Sequence, residues 1–114
     1  MIVIIDYNIG NIGSVKNMLL KIGVECEVSN DINKIKAANK LILPGVGSFD
    51  NGMRNLKELK LIEILNQKVI IDKIPILGIC LGMQLMSENS EEGDEKGLGW
   101  IDQKVKKIKE NKMT

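Results

Sequence analysis

The stretch Gly78-Ile79-Cys80-Leu81-Gly82 decides how this chain is read. It follows the apolar run Ile74 to Leu77, interrupted by Pro75, and leads into the helix-like run Met83, Gln84, Leu85, Met86. A strand that turns sharply into a helix holds its turning residue in strained backbone, and a Cβ on either flank would collide. Gly78 and Gly82 remove that Cβ on both sides of Cys80, which is the spacing of the nucleophile elbow with sulfur in place of the hydroxyl. At the start of the following helix, unpaired N–H groups and the helix dipole favour the thiolate, the reactive form. A cysteine after an apolar strand is by itself more often a small buried hydrophobe, so the case for chemistry rests on the rest of the chain.

Working outward, Ile74 to Ile79 reads as the strand feeding the elbow, and Met83 to Glu88 as the helix behind it. Upstream, Asn51 onward is helical with Met53, Leu56 and Leu59 inward and Ser48 or Asp50 as its cap. A second helical stretch carries Leu61, Ile62, Leu65 and Val69. Leu41-Ile42-Leu43 is a buried strand that stops at Pro44-Gly45-Val46-Gly47-Ser48-Phe49. Glycines at the carboxyl end of a parallel strand let backbone N–H groups approach a ligand, although Pro-Gly is also an ordinary tight turn. Asp31 to Asn39, polar with Ile32 and Ile35, reads as a loop with one helical turn. Val24 to Val28 is a short strand with Cys26 in the core. From Asn11 to Ile22 the residues Ile12, Val15, Met18, Leu19 and Ile22 recur at helical spacing, and Gly23 sits where a C-cap glycine belongs. Ile2-Val3-Ile4-Ile5 is wholly apolar and β-branched, as a strand buried on both faces would be.

Downstream, Asn89 to Gly99 is acidic and glycine-rich and reads as a surface loop, and Val105 to Ile108 alternates as a half-exposed strand would. The order strand, helix, strand, strand, helix, strand, helix predicts an α/β fold, an open, mostly parallel sheet with helices on both faces. No G-x-G-x-x-G opens the first helix and no Walker motif is present. The 114 residues are expected to form a single domain.

Apolar residues make up 44% and charged residues 27% of the chain, which is globular composition. A net charge of +1 gives no reason to invoke nucleic acid or an anionic membrane as a partner. No apolar run reaches the length of a bilayer span, and Met1 to Ile5 lacks a basic leader, so a cytoplasmic location is expected. Cys26 and Cys80 are the only cysteines and there is no histidine, so neither a disulfide framework nor a metal site is expected. No other cofactor is called for. The missing histidine also leaves a cysteine nucleophile without the residue that usually serves as its base and acid.

Three stretches together resemble the glutaminase subunits of imidazole glycerol phosphate synthase, members of the class I glutamine amidotransferases. They are Asp6-Tyr7-Asn8-Ile9-Gly10-Asn11 with Ser14-Val15, then Pro44 to Phe49, then Gly78 to Gln84. Ser90-Glu91-Glu92-Gly93 and Gly97-Leu98-Gly99-Trp100 extend the likeness over essentially the whole chain. The resemblance implies that Cys80 attacks the side-chain amide of glutamine, releases ammonia and leaves a glutamyl thioester for water. It implies that N–H groups of Leu81 and of the Gly45-Val46-Gly47 loop stabilise the oxyanion. It also implies that Gln84 and Glu92 hold the amino-acid end of the substrate, with Glu92 facing the α-ammonium. Without the resemblance, Gln84 reads as a solvated helix residue and Glu92 as part of a charged loop. A (β/α)₈-barrel cyclase subunit is the implied partner, faced by Asn8, Ile9, Asn11 and the residues after Gly47.

Members of that group carry a His and a Glu in a second half of the sheet. The sequence is therefore expected to be incomplete at its C-terminus, as a fragment or a truncated gene, or else complete and inactive. The expectation is the family activity for the whole protein and none for this chain alone. The alternatives are an inactive α/β binding module, or a paralogous amidotransferase that feeds ammonia to surface-sugar biosynthesis.

Overall fold

The computed structural model describes residues 1–10, 12–90 and 93–101 and the backbone of 104–105. Four parallel strands form its sheet: β1 (Ile2–Ile5), β2 (Cys26–Ser29), β3 (Lys40–Leu43) and β4 (Ile76–Gly78), in the spatial order β2-β1-β3-β4. Helices α1 (Ile12–Lys21), α2 (Ile32–Ala37), α3 (Phe49–Glu58) and α4 (Ile62–Asn66) connect them, and α4 runs on into a π-helical turn, Gln67–Ile71. Helix α5 (Leu81–Leu85) follows β4. A separate pair, β5 (Asn89–Ser90) and β6 (Lys104–Val105), is also parallel.

Strand order fixes where the helices lie. The chain moves from β1 outward to β2, then returns past β1 to β3 and β4, and right-handed crossovers put α1 on one face and the later helices on the other. On the later-helix face Val3, Ile5, Leu41 and Leu43 pack with Ile35 of α2, Met53 and Leu56 of α3, Leu65 of α4 and Leu85 of α5. The opposite face carries one row in register, Val28, Ile4, Ile42 and Leu77. Ile4 and Ile42 are buried, whereas Leu77 on β4 is 57% exposed.

Local signals in the sequence explain most element ends. Gly23, at φ 81°, closes α1 in a Schellman motif: its N–H donates to Leu20 O (3.1 Å) and the Val24 N–H to Leu19 O (2.9 Å). Ser48, of the two candidate caps, starts α3, its side chain accepting from Asn51 N at 3.2 Å. Near the end of α2 the Lys36 carbonyl accepts from the buried Lys68 ammonium at 2.8 Å, with Asp72 3.9 Å from the same nitrogen.

Several expectations are corrected. In the stretch Asp31 to Asn39 the expected single helical turn is a six-residue helix, because Asp31 caps it by accepting from Asn33 N at 2.8 Å and Ile35 is buried beneath it. Strand β2 begins at Cys26, not Val24, whose N–H is taken by the Schellman closure. Cys26 is half-buried. Met18 and Ile22, assigned to the inner side of α1, are 54% and 69% exposed, since no residue of α1 is fully buried. Asn89 and Ser90 belong to a strand instead of a loop. The expected strand Val105 to Ile108 is described only at Val105, and its remainder lies outside the described residues, as does Asn11.

Candidate active site

Because the chain leaves β1 in one direction and returns to β3 in the other, the loops after these two strands diverge at their carboxyl ends. Such a switch point is where open α/β sheets place ligands. The loop after β1 begins Asp6-Tyr7-Asn8, and the loop after β3 is Pro44 to Ser48. Beside them, at the end of β4, the chain turns through Cys80.

Cys80 has φ 53° and ψ −119°, a backbone conformation that L-residues avoid. Its side chain is exposed. The Cys80 carbonyl accepts from Met83 N (3.1 Å) and Gln84 N (3.3 Å), so the residue stands at the N-cap of α5. Both flanking glycines are required by close approach. A Cβ on Gly78 would stand 2.7 Å from Met83 Cα, and one on Gly82 would stand 2.5 Å from the Leu43 carbonyl carbon and 3.2 Å from Pro44 O. The elbow is thus wedged between β3 and its own helix, and the thiol is turned outward.

The Gly45-Val46-Gly47 loop faces it. Gly45 is at φ 154° and Gly47 at φ 119°. The buried Tyr7 supports the loop from beneath, its hydroxyl donating to Pro44 O. Burial pushes the Tyr7 phenol well above its ordinary pKa, so it serves here as a neutral donor. Ile9 Cγ2 lies 3.1 Å from where a Cβ on Gly45 would be.

The Leu81 N–H, an oxyanion donor in the resemblance, donates in this structure to Gly45 O at 3.1 Å. A carbonyl of the glycine loop therefore occupies that donor. Turning over the peptide between Gly45 and Val46 would remove that carbonyl, and glycines at 45 and 47 give the loop the freedom to do so.

Of the other candidates, Gln84 is exposed, one helical turn beyond Cys80. Glu92 lies outside the described residues. Asn8, at φ 62°, is exposed, and its carbonyl accepts from Asn55 Nδ2 of α3 at 3.4 Å. Among the described residues no three His, Cys, Asp or Glu side chains group to hold a metal ion. No helix among them is long and apolar enough to cross a membrane.

Sequence reasoning missed the role of Asp50, which it treated only as a possible cap. Asp50 Oδ2 accepts from Asp94 N (3.0 Å) and Oδ1 from Glu95 N (2.9 Å), and these bonds hold its carboxyl below its ordinary pKa. The available signal was Gly93: a Cβ there would stand 2.8 Å from Asp50 Cγ.

A strained cysteine elbow at the end of a parallel strand, facing a glycine loop on the neighbouring strand, marks a class of protein, and the comparison with known families agrees. The family model described as glutamine amidotransferase class-I matches residues 3–114, and the chain belongs to that family. More narrowly, it is 62% identical over 109 residues to imidazole glycerol phosphate synthase subunit HisH 2 of Methanococcus maripaludis, covering 96% of this chain and 54% of that protein. It is 51% identical over 102 residues to the HisH 2 subunit of Pseudomonas aeruginosa, covering 90% and 50%. The chain thus spans about half the length of these curated relatives. A crystal structure of a glutamine amidotransferase superposes with a TM-score of 0.78 at 18% identity, over 91% of this chain and 55% of that one, a likeness of fold.

Proposed function

We propose that these residues are the nucleophile half of a glutaminase subunit of imidazole glycerol phosphate synthase. The observation that carries the reading is Cys80, held exposed at φ 53° between two glycines that close packing requires. The identity to HisH subunits, 62% in one case, supports the narrower assignment.

In this reading the Cys80 thiolate attacks the side-chain carbonyl carbon of glutamine. The C–S bond forms as the carbonyl becomes an oxyanion, then the C–N bond breaks and ammonia leaves with a proton from a general acid. Water cleaves the thioester to glutamate and restores the thiol. The N–H groups of Leu81 and Val46 become the oxyanion donors once the Gly45 carbonyl has turned away, with Gly45 and Gly47 as the hinges. One such donor is worth on the order of 10²-fold to 10³-fold in rate. Gln84 and Glu92 hold the amino-acid end of glutamine. Ammonia passes to a (β/α)₈-barrel cyclase subunit in the cytoplasm. The domain is one that these 114 residues only partly make up, and because they include no histidine, the base and acid come from elsewhere in it. Alone, the chain is inactive.

Glutamine hydrolysis is the test, with and without cyclase, using Cys80→Ala as control. No activity from the 114 residues, and cyclase-dependent ammonia release from a version extended to include a catalytic histidine, is the expected result. Ammonia release by the chain itself, abolished by Cys80→Ala, would refute the missing-base argument. An extended form that feeds only an acceptor of surface-sugar biosynthesis would assign the paralogous role. An extended form with an unreactive Cys80 would leave an inactive binding module.

A further inference from the structure

We propose that Trp100 is a positioning residue for the Cys80 thiol: it fastens residues 97–101 to α4, and that segment clamps the end of α5 opposite Cys80. The inference rests on Cys80 being the nucleophile of the reading above. A helix leaves its last carbonyls without intrahelical donors. Here the carbonyls of Leu85 to Glu88, at and just past the end of α5, are met by five consecutive N–H groups. Gly97 N donates to Glu88 O at 2.7 Å, Leu98 N to Leu85 O at 2.8 Å and Gly99 N to Ser87 O at 3.0 Å, while Trp100 N and Ile101 N share Met86 O at 2.9 and 3.0 Å. Close approach is built in at the first of them, because a Cβ on Gly97 would collide with Ser87 O and stand 3.0 Å from Leu85 O. The segment is tied to the body of the protein by Leu98 and Trp100, which pack on the core. The indole adds a polar tie, its Nε1–H donating to Asn66 Oδ1 at 2.7 Å at the end of α4.

From this clamp a run of hydrogen bonds reaches the elbow. The buried Ser87, whose carbonyl takes the Gly99 N–H, donates its own N–H (3.1 Å) and its hydroxyl (2.6 Å) to Gln84 O, and Gln84 N donates to Cys80 O at 3.3 Å. At its other end α5 bears on β3 through Gly82 and on the glycine loop through the Leu81 N–H. A helix of five residues has little stability of its own, so its direction is set by what holds its two ends. A residue at φ 53° persists only where its surroundings over-determine it. The glycine contact with β3 constrains one end of α5 and residues 97–101 constrain the other. With the second constraint loosened, α5 can draw away, and the backbone at Cys80 can leave the strained conformation that turns the thiol outward.

The test uses the 114-residue chain and its Trp100→Phe, Asn66→Ala and Asn66→Asp variants. Two quantities are read under native conditions: protection of the Leu81, Met83 and Gln84 amides, measured against their intrinsic exchange rates, and the rate at which iodoacetamide alkylates Cys80. Trp100→Phe keeps an aromatic ring and loses the N–H, and Asn66→Ala loses the acceptor. Each is expected to lower protection at these three amides by about fivefold, the worth of one hydrogen bond, and to slow Cys80 alkylation by a similar factor, while β1 and β3 amides keep theirs. Combined, the two should do no more than either alone, because they remove the same bond. Asn66→Asp, which keeps an oxygen for the indole, should hold the parent values. Equal losses in β1 and β3 with alkylation at the parent rate would make Trp100 a stabilising residue only and overturn the inference. Unchanged protection at 81, 83 and 84 overturns it too, as does alkylation that is unchanged or faster. If Cys80 of the unaltered chain resists iodoacetamide altogether, the nucleophile reading itself fails and this role with it, an outcome seen in the parent and so distinct from a failure of the variants.

Discussion

Replacing Gly82 by alanine should break the elbow, and the structure gives the scale. The new methyl would stand 2.5 Å from the Leu43 carbonyl carbon and 3.2 Å from Pro44 O, both backbone atoms that cannot swing aside. Reaching ordinary van der Waals distance from that carbon requires α5 to retreat from β3 by at least about 1 Å. The same Leu43 carbonyl accepts the Ile79 N–H at 3.0 Å, so retreat also pulls the end of β4 from the sheet. Overpacking against fixed atoms together with a lost ladder bond puts the cost at about 3–5 kcal/mol. Urea denaturation of Gly82→Ala would measure it, and a melting temperature lowered by about 10–20 °C would accompany it. Gly13→Ala is the control. It lies in α1 with nothing within 4 Å of its Cβ position, and should stabilise by about 0.5 kcal/mol. A Gly82→Ala protein as stable as its parent would refute the claim that the elbow is wedged against β3.

Other perturbations have equally specific outcomes. Cys80→Gly should gain about 1 kcal/mol in denaturant titrations, because glycine adopts φ 53° without strain; no gain would mean that the elbow stores none. Tyr7→Phe should lose about 1–2 kcal/mol in the same assay by leaving the buried Pro44 carbonyl without its hydroxyl donor, and an unchanged midpoint would count against that support. Lys68→Met keeps the buried stem but strands the Lys36 carbonyl, and should cost about 2 kcal/mol by thermal denaturation; a variant that melts higher would show the ammonium to be a burden. For Asp50 the sign follows from its depressed folded pKa. Its contribution is complete above the ordinary carboxyl value of 3.8 and fades as pH falls through the lower folded value. Protection of amides 94 and 95, measured against their intrinsic exchange rates, should therefore fall only in acid, and Asp50→Asn should flatten that fall. The charged groups around this carboxylate, Arg54, Lys57, Asp94 and Glu95, make ionic strength a necessary control.

The sequence was most readable where a residue's reason is local. Gly78 and Gly82 announce the elbow because strain needs bare backbone on both sides, and Gly23 announces the end of α1 because only a left-handed residue closes a Schellman motif easily. Asp31 was readable in the same way, as the cap of α2, yet the polar run after it masked the helix. What stayed hidden depended on neighbours distant in sequence. The periodicity of α1 could not reveal that Met18 and Ile22 lie outside, since that depends on what covers their face of the sheet. Nor could the spacing of Gly45 and Cys80 reveal that the Gly45 carbonyl holds the Leu81 N–H. Glycine supplies freedom, and the peptide orientation it takes is decided by the strand next door. Asp50 illustrates the same limit, its partners lying 44 and 45 residues away.

The row Val28, Ile4, Ile42, Leu77 is buried in its middle, half-buried at Val28 and exposed at Leu77, on a strand that among the described residues pairs on one side alone. That margin amounts to a specification for any neighbour. A strand laid beside β4 must bring an apolar side chain level with Leu77 while meeting the backbone groups of Ile76 to Gly78. Because side chains alternate, a slip of one residue would set its polar side chains against Leu77 and turn its apolar ones to water. The margin thus selects register as well as composition, and a merely greasy surface would not fit it.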